Sequence, residues 1–312
     1  MEQNLNLAQR TKDPGVVLQA HHYLAALQTY AGELASARHS QDEVITRYDP
    51  KTHHALVHLY AGDDPAACCL GHKAWTLWLL GYPEQALQSA RAAVRLAQQL
   101  SHPFSLAQAT MHNAWLHGVR GERAHAIAQA QAAIALSEEQ GFSLFARSAS
   151  FTESALAPYR ATTDGVQKIR RSLVQGALLS VCLGALAEAC LEGFHFHEAG
   201  TALSEAFAIV DKGERIWEAE LFRLRGELKS ADPVEAEADF HRALKVARSQ
   251  EARSLELRAT TSLARLLAKQ GKSDEARAML ADIYNWFTEG FDTADLKDAK
   301  ALLDELSGHN HN

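Results

Sequence analysis

A glycine followed about five residues later by an alanine recurs along this chain, each time after an apolar run of helix-forming residues. The pairs are Gly32 and Ala37, Gly81 and Ala86, Gly121 and Ala126, and Gly271 and Ala276, with a looser copy at Gly193 and Ala199. Successive glycines are 49, 40, 72 and 78 residues apart, and the last two steps are close to twice a unit of 36 to 39 residues. A period of this size is typical of a helical solenoid.

The stretch from Ala74 to Ala86 shows how one unit is built. Gly81 stands where a helix ends in a left-handed residue, and Pro83 stands in the first turn of the next helix, where its missing N–H is not needed. Small residues at Ala74, and at the matching positions Ala114 and Ala264, let the two helices of a hairpin approach closely. The sequence therefore predicts an all-α fold, a TPR-like (tetratricopeptide) solenoid of helical hairpins that coils into a right-handed superhelix.

We expect one continuous solenoid over residues 1–312, with residues 1–13 and 307–312 as flexible tails. The centre, 142–200, breaks the period. There the two helices either meet at a short turn near Gly176 or fuse into one long helix. Helices are predicted at about 14–30, 33–47, 142–159, 197–211, 214–229, 233–249, 252–270, 273–288 and 293–306, with hairpins over 65–100 and 103–140.

Composition narrows the class of protein. The formal charge is −7, from 38 acidic and 31 basic residues spread along the chain, which disfavours nucleic acid as the main partner. The longest apolar stretch, 176–191, is interrupted by Glu188 and too short to span a bilayer, so no membrane association is expected. Four cysteines without CxxC spacing and a start unlike a signal peptide predict a reducing, cytoplasmic location.

Several strings resemble a known family. They are AWTLWLLGYPEQA (74–86), SHPFSL (101–106), GERIWEAELFRLRGEL (213–228), SLELRATTSLARLLA (254–268) and WFTEGFDTADLKDAKALLDEL (286–306). They are similar to the C-terminal TPR region of bacterial proteins that join a class III adenylate or guanylate cyclase, or a transcriptional regulator, to a STAND-type ATPase. The resemblance implies a signalling sensor or scaffold, separate from the catalytic parts, with a cyclase or STAND-type ATPase module as a partner.

The best candidate site is the concave groove, which the first helix of each hairpin lines in TPR-like folds. Counting back from the turn glycines places aromatic and apolar residues in its N-terminal part, and basic residues with some acids, Glu220 and Glu227, in its C-terminal part. The aromatic and apolar residues are Trp75, Trp78, Met111 and Trp115, and the basic residues are Arg223, Arg258, Arg265 and Lys269. Such a groove suits a protein segment or peptide with a carboxylate end. The competing interpretation is that the tryptophans only pack between hairpins.

The leading prediction is a non-catalytic binding module or scaffold for protein–protein interaction, without cofactor or metal. The alternative is a small-molecule or metal-binding sensor, or an enzyme, with an enclosed pocket in the irregular centre. For a metal, the candidates are His54, His58 and His72, near Cys68 and Cys69. For catalysis, they are His195 and His197, with Glu192, Glu198 and Cys190.

Self-association is also predicted, because the ends of a solenoid expose apolar faces unless they are capped. The charged helix 295–306 looks like a cap at the C-terminal end, whereas no cap is evident at the N-terminal end. We therefore expect a homodimer that forms through the N-terminal hairpin, residues 14–47.

Overall fold

The computed structural model describes residues 2–59, 62–173 and 178–308, with the side chains of 2–5, 9, 56, 58 and 59 also left undescribed. The helices in these ranges are α1 (Glu2–Thr11), α2 (Pro14–Ala31), α3 (Leu34–Arg47), α4 (Pro50–His53), α5 (Pro65–Leu79), α6 (Pro83–Gln99), α7 (Pro103–Val119), α8 (Arg123–Gln140), α9 (Ser143–Leu156), α10 (Thr163–Ser172), α11 (Leu179–Glu192), α12 (Phe196–Val210), α13 (Glu218–Leu228), α14 (Pro233–Ser249), α15 (Arg253–Lys269), α16 (Ser273–Trp286) and α17 (Ala294–Gly308). A 3₁₀ helix, His54–Leu59, follows α4.

The repeated motif forms the hairpins as predicted. Gly81, Gly121 and Gly271 adopt the left-handed conformation at the turns, with φ of 92°, 84° and 80°. The alanine of every pair, from Ala37 to Ala276, is fully buried, as are the small residues Ala74, Ala114 and Ala264. The hairpins are α2/α3, α5/α6, α7/α8, α9/α10, α11/α12, α13/α14 and α15/α16. The fold is therefore an all-α, TPR-like solenoid.

Local capping explains where several helices begin. Asp13, Asp64 and Asp232 each accept hydrogen bonds from the first free backbone N–H groups of the following helix. A proline follows each aspartate, at the position where its missing N–H is not needed. No helix in the described part of the chain is long and apolar enough to cross a membrane.

In the irregular centre, α10 and α11 do not join into one helix. α10 ends at Leu173, which is extended, and α11 begins after Leu178, which is left-handed with φ 67°. The fused helix is therefore wrong, while Gly176, the proposed turn, lies outside the described residues. Residues 2–11, expected as part of a tail, form a helix whose Ala8 is buried.

The superhelix closes on itself, because the turns of the first three hairpins dock against the C-terminal part of the chain. In the first turn, the Tyr30 carbonyl accepts hydrogen bonds from the N–H groups of Arg215 (2.8 Å) and Ile216 (3.0 Å). Both N–H groups belong to the segment before α13. The helix predicted from residue 214 begins at Glu218.

The second turn docks in the same way one hairpin further along. The Ser254 hydroxyl donates to the Trp78 carbonyl, and Glu289 accepts hydrogen bonds from the backbone N–H groups of Glu84 (2.9 Å) and Gln85 (3.1 Å). Glu289 thus caps α6, which has no side-chain cap of its own. A residue about 200 positions away therefore completes this helix start.

The third turn docks against α17. The Ala294 N–H donates to the Arg120 carbonyl (3.1 Å), and a Cβ on Gly121 would collide with the Ala294 side chain. Hairpins one and two thus meet hairpins six and seven, and hairpin three meets α17, so the superhelix returns to itself after five hairpins. One apolar cluster accordingly contains Trp78 together with Leu255.

Candidate functional site

The first helices of the hairpins surround a lumen, and a cavity of about 180 Å³ lies inside it. Its walls come from α5, α7, α9, α11, α13 and α15, the first helices of six of the seven hairpins, whereas α2 contributes no lining residue. The lining includes Trp75, Met111, Trp115, Phe151, Leu178, Val181, Cys182, Ala185, Trp217 and Leu224, with Arg160, Glu188, Glu220 and Arg258 as the charged members.

Four tryptophans cluster at this cavity, and three of them, Trp75, Trp115 and Trp217, line it. The ring centroids of Trp75 and Trp115 are 4.8 Å apart, and those of Trp115 and Trp217 are 5.9 Å apart. Trp78 stacks on Trp217 at 6.0 Å, just outside the lining. Trp217 comes from the C-terminal half of the chain, and only the closure of the superhelix brings it here. It is therefore absent from the groove residues that were predicted from the sequence. The tryptophans therefore both pack between hairpins and line a cavity.

A buried network of ion pairs also borders the cavity, through Glu220 and Arg258. Glu220, on α13, is 2.7 Å from Arg223 and 3.3 Å from Arg258. Arg258 also bonds Asp295 at 2.9 Å and lies over the Trp78 ring, 5.1 Å from its centroid. Arg258 thus connects α13, α15, α17 and the tryptophan cluster.

The electrostatics of this network follow from burial and close partners. Burial by itself would raise the pKa of Glu220, but Arg223 and Arg258 together lower it to about 2. Burial raises the pKa of Asp295 above its ordinary value, in spite of Arg258. Glu220 is therefore ionised at neutral pH, and both arginines remain charged.

The C-terminal part of the groove carries more acids than counting along the first helices included. A second cavity, also of about 180 Å³, is lined by Arg223, Arg258 and Arg265, but equally by three carboxylates, Glu188, Asp295 and Asp298. Arg265 pairs with Asp298 at 2.5 Å. Counting along the first helices found the arginines and missed the acids that α11 and α17 bring to them, so this surface offers ion pairs instead of free guanidinium groups.

The structure divides the eight predicted groove residues among several environments. Trp75, Met111, Trp115 and Arg258 line the lumen cavity, and Arg223 and Arg265 line the second cavity together with Arg258. Trp78 is 2% exposed and packs behind the lumen wall. Lys269 is exposed at the end of α15.

The predicted histidine candidates for a metal do not share one environment. His54 Nδ1 is 3.0 Å from Asp64, whereas His72 Nδ1 is 3.7 Å from the Cys68 sulfur. The side chain of His58 lies outside the described residues. Burial lowers the pKa of His72 well below its ordinary value, with His112 adding to the effect. His72 is thus a neutral imidazole at neutral pH.

Four of the five predicted catalytic candidates meet at a different cavity, of about 410 Å³, between α10, α11 and α12, whereas Glu192 pairs with Arg160 outside its lining. Cys190, His195, His197 and Glu198 all contribute to its lining. Burial, and then Glu198, raise the pKa of Cys190 to about 11, so the sulfur is a protonated thiol at neutral pH. A nucleophilic cysteine needs the opposite shift.

Comparisons with known proteins identify no family for this chain. No family model matches it, and no curated protein matches it. Among solved structures, the chain is similar to a crystal structure of yeast Tom70, with a TM-score of 0.46 and 13% sequence identity over 95% of this chain and 60% of the Tom70 chain. The chain thus spans about three fifths of the Tom70 length. The resemblance to cyclase and STAND-type proteins stays a prediction.

Proposed function

We propose that this protein is a non-catalytic, TPR-like binding module that holds a segment of a partner protein in its lumen. One apolar or aromatic side chain of that segment enters the lumen cavity as an anchor. The observation that carries this proposal is the cavity itself, where residues of six first helices converge on one space bordered by the tryptophan cluster and the ion-pair network.

The volume of the cavity supports a single anchor. A cavity of about 150 Å³ in a protein core holds one benzene molecule. The lumen cavity, at about 180 Å³, therefore fits one aromatic ring or one leucine side chain, and the rest of the segment must lie along the lumen. Anchors in desolvated pockets with aromatic walls supply most of the binding energy in many interfaces.

The polar edge of the cavity suits the backbone of such a segment. Glu188 keeps 39% of its side chain exposed, and it lies 3.8 Å from Arg223 and 3.4 Å from Arg160. These groups offer both donors and acceptors to peptide amides beside an apolar anchor. Because the charges are already paired, we propose a neutral peptide main chain as the ligand instead of a free carboxylate.

A display library of short peptides tests the proposal. We expect selected peptides to share one large apolar residue, and we expect Ala185→Phe, which fills the cavity, to weaken their binding at least about tenfold, or 1.4 kcal/mol. Ala132→Phe, on the exposed face of α8, is the matched control and should leave affinity unchanged. Equal affinity of Ala185→Phe and wild type would place binding outside the cavity.

The resemblance of the sequence supports a class III cyclase or a STAND-type ATPase as the source of the segment. If that is so, peptides that tile such a module should compete with the selected peptides for the protein. Absence of competition by any of these peptides would refute this partner and leave the lumen site in place.

A small-molecule sensor is the second candidate function, because the cavity borders the irregular centre through residues 148–160 and 178–188. A native mass spectrum of the purified protein separates the two. An added mass that disappears on denaturation, and that Ala185→Phe abolishes, would favour a small ligand. A native spectrum that shows only the mass of the protein chain would favour the peptide-binding function.

A further inference from the structure

A compact group of potential metal ligands lies away from the lumen cavity, between the first and second hairpins. It consists of His22 on α2, Asp63 in the segment before α5, and Cys68 on the first turn of α5. One ligand atom from each lies within 4.8 Å of the other two, and no other such trio occurs in the described residues. Only the closeness of α2 and α5 in space brings these residues together, since the chain separates them by up to 46 positions.

The hydrogen bonding of this group is incomplete. His22 Nδ1 and Asp63 Oδ1 are both buried and have no hydrogen-bond partner. His22 is 3% exposed, and the Asp63 side chain is 12% exposed. Buried polar atoms in folded proteins are nearly always partnered. The other two atoms, His22 Nε2 and Asp63 Oδ2, face each other at 3.7 Å, beyond hydrogen-bond distance, so an ion between them would give both a partner.

We propose that His22, Asp63 and Cys68 bind a divalent transition-metal ion of the zinc type. In a tetrahedral zinc site, the bond lengths place nitrogen and oxygen ligands about 3.3 Å apart and sulfur and nitrogen ligands about 3.6 Å apart. His22 Nε2 is 3.7 Å from Asp63 Oδ2, so these two ligands need to approach by only a few tenths of an ångström.

Residues next to the trio can complete a metal-binding site. His72 Nδ1 lies 3.7 Å from the Cys68 sulfur but outside the trio, so His72 has to move closer to take the fourth position, which a water molecule can fill instead. The other ring nitrogen of His72, Nε2, lies 3.3 Å from the Tyr30 hydroxyl. A hydrogen bond to the far nitrogen of a metal-bound histidine fixes its ring and its tautomer.

Charge balance favours a divalent ion at this place. When a divalent cation binds, the thiol proton passes to solvent, and the thiolate and the Asp63 carboxylate together neutralise the ion. A thiolate with an imidazole selects zinc or a similar transition metal over magnesium or calcium.

Cobalt(II), a spectroscopic substitute for zinc, tests the proposal on the full-length protein after chelation and dialysis. We expect one equivalent of Co²⁺ to produce a thiolate-to-metal charge-transfer band that Zn²⁺ then removes. Cys68→Ser should abolish the band. His22→Gln should weaken Co²⁺ binding by at least about tenfold, because even residues beside the ligands contribute 10- to 100-fold to metal affinity.

The chain supplies matched controls for both variants. Cys69 is as buried as Cys68, and His21 is adjacent to His22, yet neither belongs to the trio. Cys69→Ser and His21→Gln should therefore keep the band. No band with Co²⁺ in excess, or equal loss in Cys68→Ser and Cys69→Ser, would overturn the proposal.

X-ray absorption of the zinc-loaded wild-type protein makes the test independent of how well the variants fold. One sulfur together with nitrogen or oxygen ligands is the expected first shell, and a shell without sulfur would refute the site. None of His22, Asp63 and Cys68 lines the lumen cavity, so failure here leaves the proposed function untouched.

Discussion

Replacing Arg258 with methionine tests whether the buried ion-pair network contributes more to the stability of the fold than an exposed ion pair does. Methionine keeps much of the side-chain volume but removes the charge that lies 3.3 Å from Glu220 and 2.9 Å from Asp295. Breaking a buried pair by removing one partner typically costs 3 to 5 kcal/mol. We therefore expect the free energy of unfolding of Arg258→Met to fall by about 3–5 kcal/mol.

Arg265, seven residues further along the same helix, is the matched control. Its ion pair with Asp298 is exposed, with 45% and 52% of the two side chains accessible. Exposed pairs contribute about 0–1 kcal/mol, so Arg265→Met should change stability by less than about 1 kcal/mol. Equilibrium urea unfolding, followed by circular dichroism and tryptophan fluorescence, measures both variants.

The pH dependence gives this prediction a second test. The pKa of Glu220 is about 2 in the folded protein, against an ordinary value of 4.5. Its stabilising contribution is therefore present above about pH 4.5 and is lost as the pH falls toward 2. Part of that contribution depends on Arg258, so the difference between wild type and Arg258→Met should shrink over this range. Equal unfolding midpoints for Arg258→Met and Arg265→Met at neutral pH would refute the reasoning.

Two further predictions concern the turns and the N-terminal hairpin. Gly121→Ala should destabilise the protein by at least about 1 kcal/mol more than Gly271→Ala, as measured by urea unfolding: both glycines have positive φ, but only a methyl group at Gly121 meets Ala294. Tyr23 and Leu27, 48% and 49% exposed on α2, should form the core of the predicted homodimer interface. Leu27→Lys should then make the protein monomeric in light scattering, whereas a monomeric wild type at high concentration would rule the dimer out.

The local structure could be predicted from the sequence because its signals are local. Asp13 followed by proline marks the start of α2, and the glycine–alanine spacing marks the turns and the buried face of each hairpin. Most predicted helix ends agree with the structure to within a few residues. The start of α13 is an exception, since the helix begins at Glu218 instead of residue 214.

The closure of the superhelix could not be predicted in this way. It depends on the sum of small rotations between successive hairpins, which no single stretch of sequence encodes. Trp217 at the lumen cavity and Glu289 at the start of α6 are both consequences of that sum. For the same reason, counting along α13 and α15 found basic residues with some acids but could not include Asp295 and Asp298, which α17 brings beside them.

Hydrogen–deuterium exchange at the hairpin turns tests the closed superhelix most directly. The turn at Gly81 docks against the C-terminal half, whereas a Cβ at Gly271 would meet open space. We predict that amides of residues 81–86 exchange more slowly than those of 271–276, and that Glu289→Ala speeds exchange at residues 84 and 85. Equally fast exchange at both turns, with no response to Glu289→Ala, would show that the superhelix is open and that the lumen cavity does not form.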